Sequence, residues 1–216
     1  MSIHQNYAVF GLGRYGFAVA EELVASGAEV LAVDIDPTKV NAAAATLPYC
    51  RCADITDPDA IKQLGIKAID TVIIAMASNL EASVLATMFC KEAGVKTVIA
   101  KCANETHRKI LRKVGADKVV FPESESGIRL AKNLLSSGFV DIIELSKDVA
   151  MIELDVKPEW EGKTLLELDL RRKHSINIVA IRNGKNVSTV IDPTMPLEKF
   201  MKLVVIANSS KIQKLK

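Results

Sequence analysis

Up to Phe121 the chain alternates short apolar, β-branched runs with longer stretches whose apolar residues recur at helical spacing. The runs YAVFG (7–11), EVLAVD (29–34), YCRCA (49–53), DTVIIA (70–75), KTVIA (96–100) and KVVF (118–121) read as strands. Between them, helices are expected near 14–26, 37–46, 57–64, 79–92 and 104–114, several closing on a glycine: Gly27, Gly65, Gly94 and Gly115. Strands this short and this apolar are buried on both faces, which calls for a parallel sheet covered by helices. The alternation specifies an α/β, Rossmann-like, doubly wound domain.

Past Phe121-Pro122 the pattern changes. ESESGIRLAKNLLSSG (123–138) is helical, with Ile128, Leu130, Ala131, Leu134 and Leu135 spread over more than one face. Such a helix is buried on two sides, either between parts of its own chain or against another subunit. After a break at 136–138, FVDIIELS (139–146) and VAMIELDV (149–156) read as strands around a turn at Lys147-Asp148. A helix follows at about 164–173, with Thr164 as N-cap and Glu167 three residues on. INIVAIRNGKNVSTV (176–190) reads as a hairpin around Asn183-Gly184, KLVVIA (202–207) as a last strand, and a basic tail ends the chain. The expected organisation is a nucleotide-binding domain at 1–122, a crossover helix at 123–138 and a small α+β domain at 139–216.

Composition narrows the function classes. The 216 residues are 49% hydrophobic and 25% charged, with a net charge of +2 and both signs mixed along the chain. That balance gives no electrostatic case for nucleic acid or an anionic membrane surface. No signal-peptide pattern opens the sequence and no apolar run is long enough to span a bilayer, so a soluble cytoplasmic protein is expected. Cys50, Cys52, Cys90 and Cys102 lack zinc-type spacing and read as free thiols of a reducing compartment. The Asn-x-Ser/Thr triplets at Asn104, Asn186 and Asn208 then carry no glycan.

The candidate chemistry sits where the first strand meets the first helix. Gly11, Gly13 and Gly16 have the G-x-G-x-x-G spacing of a dinucleotide-binding turn, after a strand and at the start of a helix. Gly11 permits the tight turn, Gly13 lets backbone approach phosphate, and Gly16 lets helix and sheet close up. Asp34, at the end of the second strand, is placed for the hydroxyls of an adenosine ribose. A 2′-phosphate would face that carboxylate with Asp36 nearby, and like charges at 4 Å repel by about 1–4 kcal/mol, which disfavours NADP. Ala53 leaves room for an adenine ring, and Asp54 is either a partner for its amino group or a helix cap. Arg14, directly behind the second glycine, can clamp a terminal phosphate, which suits ADP or ATP better than NAD. Lys101, after the fifth strand, reads as a phosphate or interface contact. Of the three histidines, His4 precedes the first strand, His107 is on a helix and His174 is in the small module, so none sits on a loop at the carboxyl edge of the sheet; no acid–base constellation for hydride transfer emerges and no enzyme is expected.

VFGLGRYG, VLAVDID, ADITD, VIIAMASN, AKCAN and GADKVVFPE occur in the order and context found in RCK domains, and the C-terminal region resembles the matching RCK C-terminal module. The chain thus resembles the RCK (TrkA-N/TrkA-C) family, in particular the cytosolic gating subunits of Ktr-type potassium uptake systems (the KtrA and KtrC kind). The resemblance implies an ATP/ADP site formed by Gly11, Leu12, Gly13, Arg14, Tyr15, Gly16, Asp34, Ile35, Ala53, Asp54, Ala75, Asn79 and Lys101, with Arg14 on the γ-phosphate. It implies that Glu123, in FPE, helps hold a divalent or monovalent cation between the two nucleotides of a dimer; by itself Glu123 also suits a helix start. It further implies cyclic di-AMP binding at His174, Ile176, Asn177, Ile178 and Pro193, although core packing explains both isoleucines equally well. Dimers assembling into an octameric ring would gate a membrane potassium channel subunit of the KtrB or KtrD kind at the inner face of the cell membrane. The alternatives are an NAD(H)-responsive Trk-type regulator, an NAD-dependent dehydrogenase and a purely structural ring subunit.

Overall fold

The computed structural model describes residues 5–135, 139–146, 148–208 and 210. His4, the break expected at 136–138, Lys147 of the expected turn and the tail from 211 lie outside them. The chain divides into two compact units, 1–122 and 123–216.

In the first unit, β1 (Asn6–Phe10), β2 (Glu29–Asp34), β3 (Tyr49–Cys52), β4 (Thr71–Ile74), β5 (Thr97–Lys101) and β6 (Lys118–Val120) form a sheet in the order β3-β2-β1-β4-β5-β6. Every pairing is parallel. The chain winds outward from β1 to β3, then returns to lay β4 on the other side of β1. That reversal opens a crevice at the carboxyl ends of β1 and β4, where open α/β sheets bind ligands. One apolar cluster, around Phe10, Val33, Ile61, Ile74 and Leu111, fills one face of the sheet. A second, around Val9, Val30, Ala32, Val40, Leu47 and Ile73, fills the other. Burial on both faces explains why these strands are apolar without strict alternation.

The connecting helices are α1 (Arg14–Ala25), α2 (Pro37–Ala43), α3 (Pro58–Gln63), α4 (Leu80–Glu92) and α5 (Glu105–Val114). Four start on a side-chain cap: Asp36, Asp57, Asn79 and Asn104 accept the N–H of Thr38, Asp59, Ala82 and His107. Gly27, Gly65, Gly94 and Gly115 all take positive φ where the preceding helices end.

The second unit opens with α6 (Pro122–Leu135), followed by β7 (Phe139–Glu144), β8 (Val149–Asp155), α7 (Leu165–Leu168), α8 (Leu170–His174), β9 (Ile176–Asn183), β10 (Asn186–Ser188) and β11 (Met201–Asn208). Its antiparallel sheet runs β10-β9-β11-β8-β7 over a core of Ile152, Leu154, Trp160, Leu168, Leu170, Ile176, Leu203 and Val205.

Two expectations are corrected here. The helix expected over 164–173 is two short helices, because Asp169 turns left-handed at φ 46°, ψ 46°. Leu168 and Leu170 are both buried, and on one regular helix they would point about 200° apart. The hairpin turn is Gly184-Lys185, one residue further on, since Asn183 pairs with Asn186. Along α6, Ile128, Leu130, Ala131 and Leu134 are exposed.

Candidate nucleotide site

The loop between β1 and α1 is held from below. Gly11, at φ 94°, donates its N–H to the Val33 carbonyl at 2.8 Å. Leu12 is buried and donates its N–H to Asp34 Oδ2 at 2.7 Å. Gly16 is required by contact: a Cβ there would lie 1.9 Å from the Gly11 carbonyl oxygen and 2.8 Å from the Ala75 Cβ. Ala75 is thus the floor against which the glycine turn packs. Gly13 differs from both, having an ordinary extended backbone at φ −71°, ψ −179° and no protein atom within 4 Å of where a Cβ would stand. Nothing among the described residues demands glycine at that position; close approach by a ligand would.

Gly13 is also the N-cap of α1, without a side-chain cap bond, and no acidic residue occupies the first turn. The other four helices of this unit all carry an Asp or Asn cap, so the N–H groups and partial positive charge of α1 are left for an anion. Arg14, the first helical residue, is exposed and has no hydrogen bond or ion pair among the described residues. Its neighbour Tyr15 lies beneath Lys101, whose Nζ is 5.3 Å from the ring centroid. Two cations therefore stand at the same crevice, one on α1 and one at the end of β5.

Asp34 is 5% exposed and uses both oxygens. Oδ2 accepts the Leu12 N–H and faces Lys39 Nζ at 3.5 Å; Oδ1 accepts the Asp36 N–H at 2.9 Å. The Thr38 N–H, the largest influence on Asp36, helps hold its carboxyl below the usual range, so that group serves α2 as its cap. Lys39 was not singled out in the sequence, although it stands five residues past Asp34 in DIDPTK. It offsets part of the Asp34 charge and so weakens the case against a 2′-phosphate, while Asp36 remains an ionised carboxylate. Ile35 is 62% exposed beside it and offers an apolar surface at the ribose corner. Ala53 is half-buried and donates its N–H to the Asp34 carbonyl.

Asp54 is no helix cap; Asp57 has that role. Asp54 instead closes a turn on Thr56, accepting its hydroxyl at 2.7 Å and its N–H at 2.9 Å, and these bonds hold its carboxyl below the usual range. Asn79 is exposed and caps α4 through Oδ1. Glu123 is an exposed first-turn residue of α6 in the second unit. Among the described residues no group of three metal-ligating side chains occurs.

In the second unit a pocket of about 240 Å³ is lined by Leu165, Asp169, Leu170, Arg171, Ile176, Asn177 and Ile178. It brings together Ile176, Asn177 and Ile178; His174 and Pro193 are exposed and are not among its lining residues. Ile176 is 1% exposed and belongs to the core, whereas Asn177 is exposed. Asp169 and Arg171 were missed in the sequence because the left-handed turn that brings Asp169 to the pocket interrupts what reads as one helix.

The fold and the glycine crevice define a Rossmann-type domain joined to a small antiparallel α+β domain. The TrkA-N domain model matches residues 7–122 and the TrkA-C domain model residues 149–216. The chain belongs to this TrkA-N/TrkA-C family, the RCK domains. It is 39% identical over 210 residues to the Ktr system potassium uptake protein C of Bacillus subtilis, covering 97% of this chain and 95% of that one. It is 35% identical to the Ktr system potassium uptake protein A of Vibrio alginolyticus, covering 96% and 94%. Among solved structures, the GsuK channel bound to NAD superposes with a TM-score of 0.64 at 16% identity, over 98% of this chain and 38% of that one. The TrkA-N domain of Escherichia coli ybaL gives 0.55 at 16% identity, over 62% and 99%. These two establish likeness of fold.

No helix among the described residues is long and apolar enough to cross a membrane.

Proposed function

We propose that this chain is the nucleotide-sensing regulatory subunit of a Ktr-type potassium uptake system, binding ATP and ADP and transmitting which one is bound to a membrane channel subunit of the KtrB or KtrD kind. The observation that carries the nucleotide choice is Arg14: a guanidinium with no hydrogen bond or ion pair among the described residues, at the uncapped start of α1 and behind a glycine that their packing does not require. An internal pyrophosphate is served by backbone N–H groups; a further cation favours a terminal phosphate. Similarity to Ktr potassium uptake proteins over nearly the whole length supports the transport assignment. In this reading the protein is not an enzyme and works at the inner face of the cell membrane. The exposed apolar residues of α6 meet a second copy, and dimers build an octameric ring. Glu123 then helps hold a cation between facing nucleotides, and the pocket at Asn177 and Arg171 takes cyclic di-AMP. The domains divide at 1–122, 123–138 and 139–216.

An NAD(H)-responsive regulator is the second reading, favoured by Asp34, which suits the adenosine ribose of either ligand. Calorimetric titration of the nucleotide-stripped protein with ATP, ADP and NADH separates the two. Micromolar ATP and ADP with weaker NADH is the expected result. Tight binding of NADH alone would overturn the ATP/ADP reading, and NADH oxidation with a small substrate would make the chain a dehydrogenase.

A further inference from the structure

One buried titratable group lies directly under two loops of the crevice and has no part in the nucleotide reading. His107, in the first turn of α5, is 3% exposed. Asn104 caps α5 by accepting the His107 N–H at 2.9 Å, and the His107 side chain reaches back, Nδ1 accepting the Ala103 N–H at 3.3 Å. This resembles a capping box, except that the third helical residue is histidine and accepts the N–H of Ala103, one residue before the N-cap. On its other side Nε2 lies 2.7 Å from Ser83 Oγ, in the first turn of α4, and the Ser83 hydroxyl lies 3.1 Å from the Leu80 carbonyl.

These bonds fix the tautomer. Nδ1 accepts a backbone N–H, so the proton of the neutral ring is on Nε2 and is donated to Ser83, whose own hydrogen goes to Leu80. A second proton, on Nδ1, would set N–H against N–H at Ala103. The ring thus ties the first turn of α4, which Asn79 caps, to the loop that follows Lys101, and Lys101 rests on Tyr15 of α1.

We propose that His107 is a positioning residue of the nucleotide site: as a neutral ring it holds the Lys101 loop against the start of α4, and its protonation releases both and weakens nucleotide binding. This rests on the nucleotide reading above. Burial keeps the imidazole below its ordinary pKa, in line with a ring held neutral. The charges around it do not take over that role. α4 presents Ser83, Ala86, Thr87 and Cys90 as its buried row, and burial pushes the Cys90 thiol up to about 12. On α5, Glu105 and Arg108 pair at 2.9 Å, and Lys109, Arg112 and Lys113 complete its charges. β6, packed on α5, carries the exposed Lys118, and the β5 end carries Lys101.

The test is ADP binding by the full chain from about pH 8 down to about pH 4.5, a range that runs well below the ordinary imidazole value because burial lowers that of His107, in wild type, His107→Gln, His107→Ala and Ser83→Ala. Glutamine offers the Ala103 N–H an acceptor that does not titrate. The phosphate titration of ADP is common to all four proteins and cancels in each ratio to wild type. His107→Gln is expected to bind less tightly than wild type at the alkaline end, having given up the ring's reach to Ser83, and to lose the further weakening at the acid end. His107→Ala and Ser83→Ala are expected to bind roughly tenfold more weakly even at the alkaline end, the scale of one lost buried hydrogen bond. If His107→Ala does not fold, the other two variants carry the comparison. Wild-type affinity in Ser83→Ala, or an unchanged acid slope in His107→Gln, would overturn the proposal while leaving the nucleotide reading standing. Failure of the wild type to bind any nucleotide at any pH would bring down both.

Discussion

Gly16 and Arg14 test the crevice from opposite directions. Gly16→Ala puts a methyl group 1.9 Å from the Gly11 carbonyl oxygen, an overlap that only backbone movement can relieve. Overpacking of this kind costs about 1–3 kcal/mol or more, so the variant is expected to lose that much in urea unfolding and to lose nucleotide binding with it. Arg14→Ala should leave stability within about 0.5 kcal/mol, because an exposed and unpaired side chain supports no packing. It should weaken ATP more than ADP by about 1.5–3 kcal/mol in parallel calorimetric titrations, the worth of a hydrogen bond to a charged group. Equal losses for the two ligands would remove Arg14 from the γ-phosphate. At this scale the sequence was informative wherever spacing carries mechanism, as in the three glycines and Asp34. It could not show that Asp54 spends its carboxylate on Thr56, or that Lys39 folds back on Asp34, because both are decided by side-chain geometry after the chain has turned.

The parallel strands were legible to within a residue or so, because burial on both faces leaves a strong apolar run bounded by turn residues. The 165–174 region was not, since Thr164 and Glu167 form a true capping box for a helix that then lasts one turn. The break depends on Leu168 and Leu170 needing the same core, a demand from tertiary packing that local pattern does not contain. Asp169 takes a left-handed conformation that costs most L-residues roughly 1–2 kcal/mol and glycine nothing. Asp169→Gly should therefore hold or raise stability, by up to about 1 kcal/mol in chemical denaturation, despite the loss of its ion pair with the exposed Arg172. A clear loss of stability would mean that the Asp169 side chain does more for the second unit than its backbone conformation indicates.

For the molecule as a whole, two matters go beyond any single element. The first is acid sensitivity. His107 has a folded pKa below its ordinary 6.5, so the stability it contributes is present above that value and lost as pH falls through the lower folded one. Asp70 is held below 3.8 chiefly by Lys96, and at Asp117 burial pushes upward but the Val98 N–H and Lys91 outweigh it. Their contributions persist to lower pH and are lost only as pH falls through those depressed values. Unfolding free energy against pH should thus show an upper shoulder below 6.5 that His107→Gln removes, followed by a separate decline below 3.8. The second matter is assembly. Ile128, Leu130 and Leu134 on α6 are 54%, 60% and 75% exposed, more apolar surface than a solitary helix face needs. Leu130→Asp should leave the fold intact by circular dichroism and shift the protein to smaller species in sedimentation velocity. An unchanged distribution would place the subunit contact elsewhere. The α6 pattern could be read from sequence as two-sided burial, but periodicity carries no information on which surface covers it.

The hydrogen bond from the Leu12 N–H to the Asp34 carboxylate also bears on time. The glycine loop is already fastened before any ligand arrives, so binding need not wait for it to order. Association should run close to the rate of productive encounter for ATP and ADP alike. Discrimination between them would then reside in how long each remains, and a bound nucleotide would act as a timer whose setting is the dissociation rate.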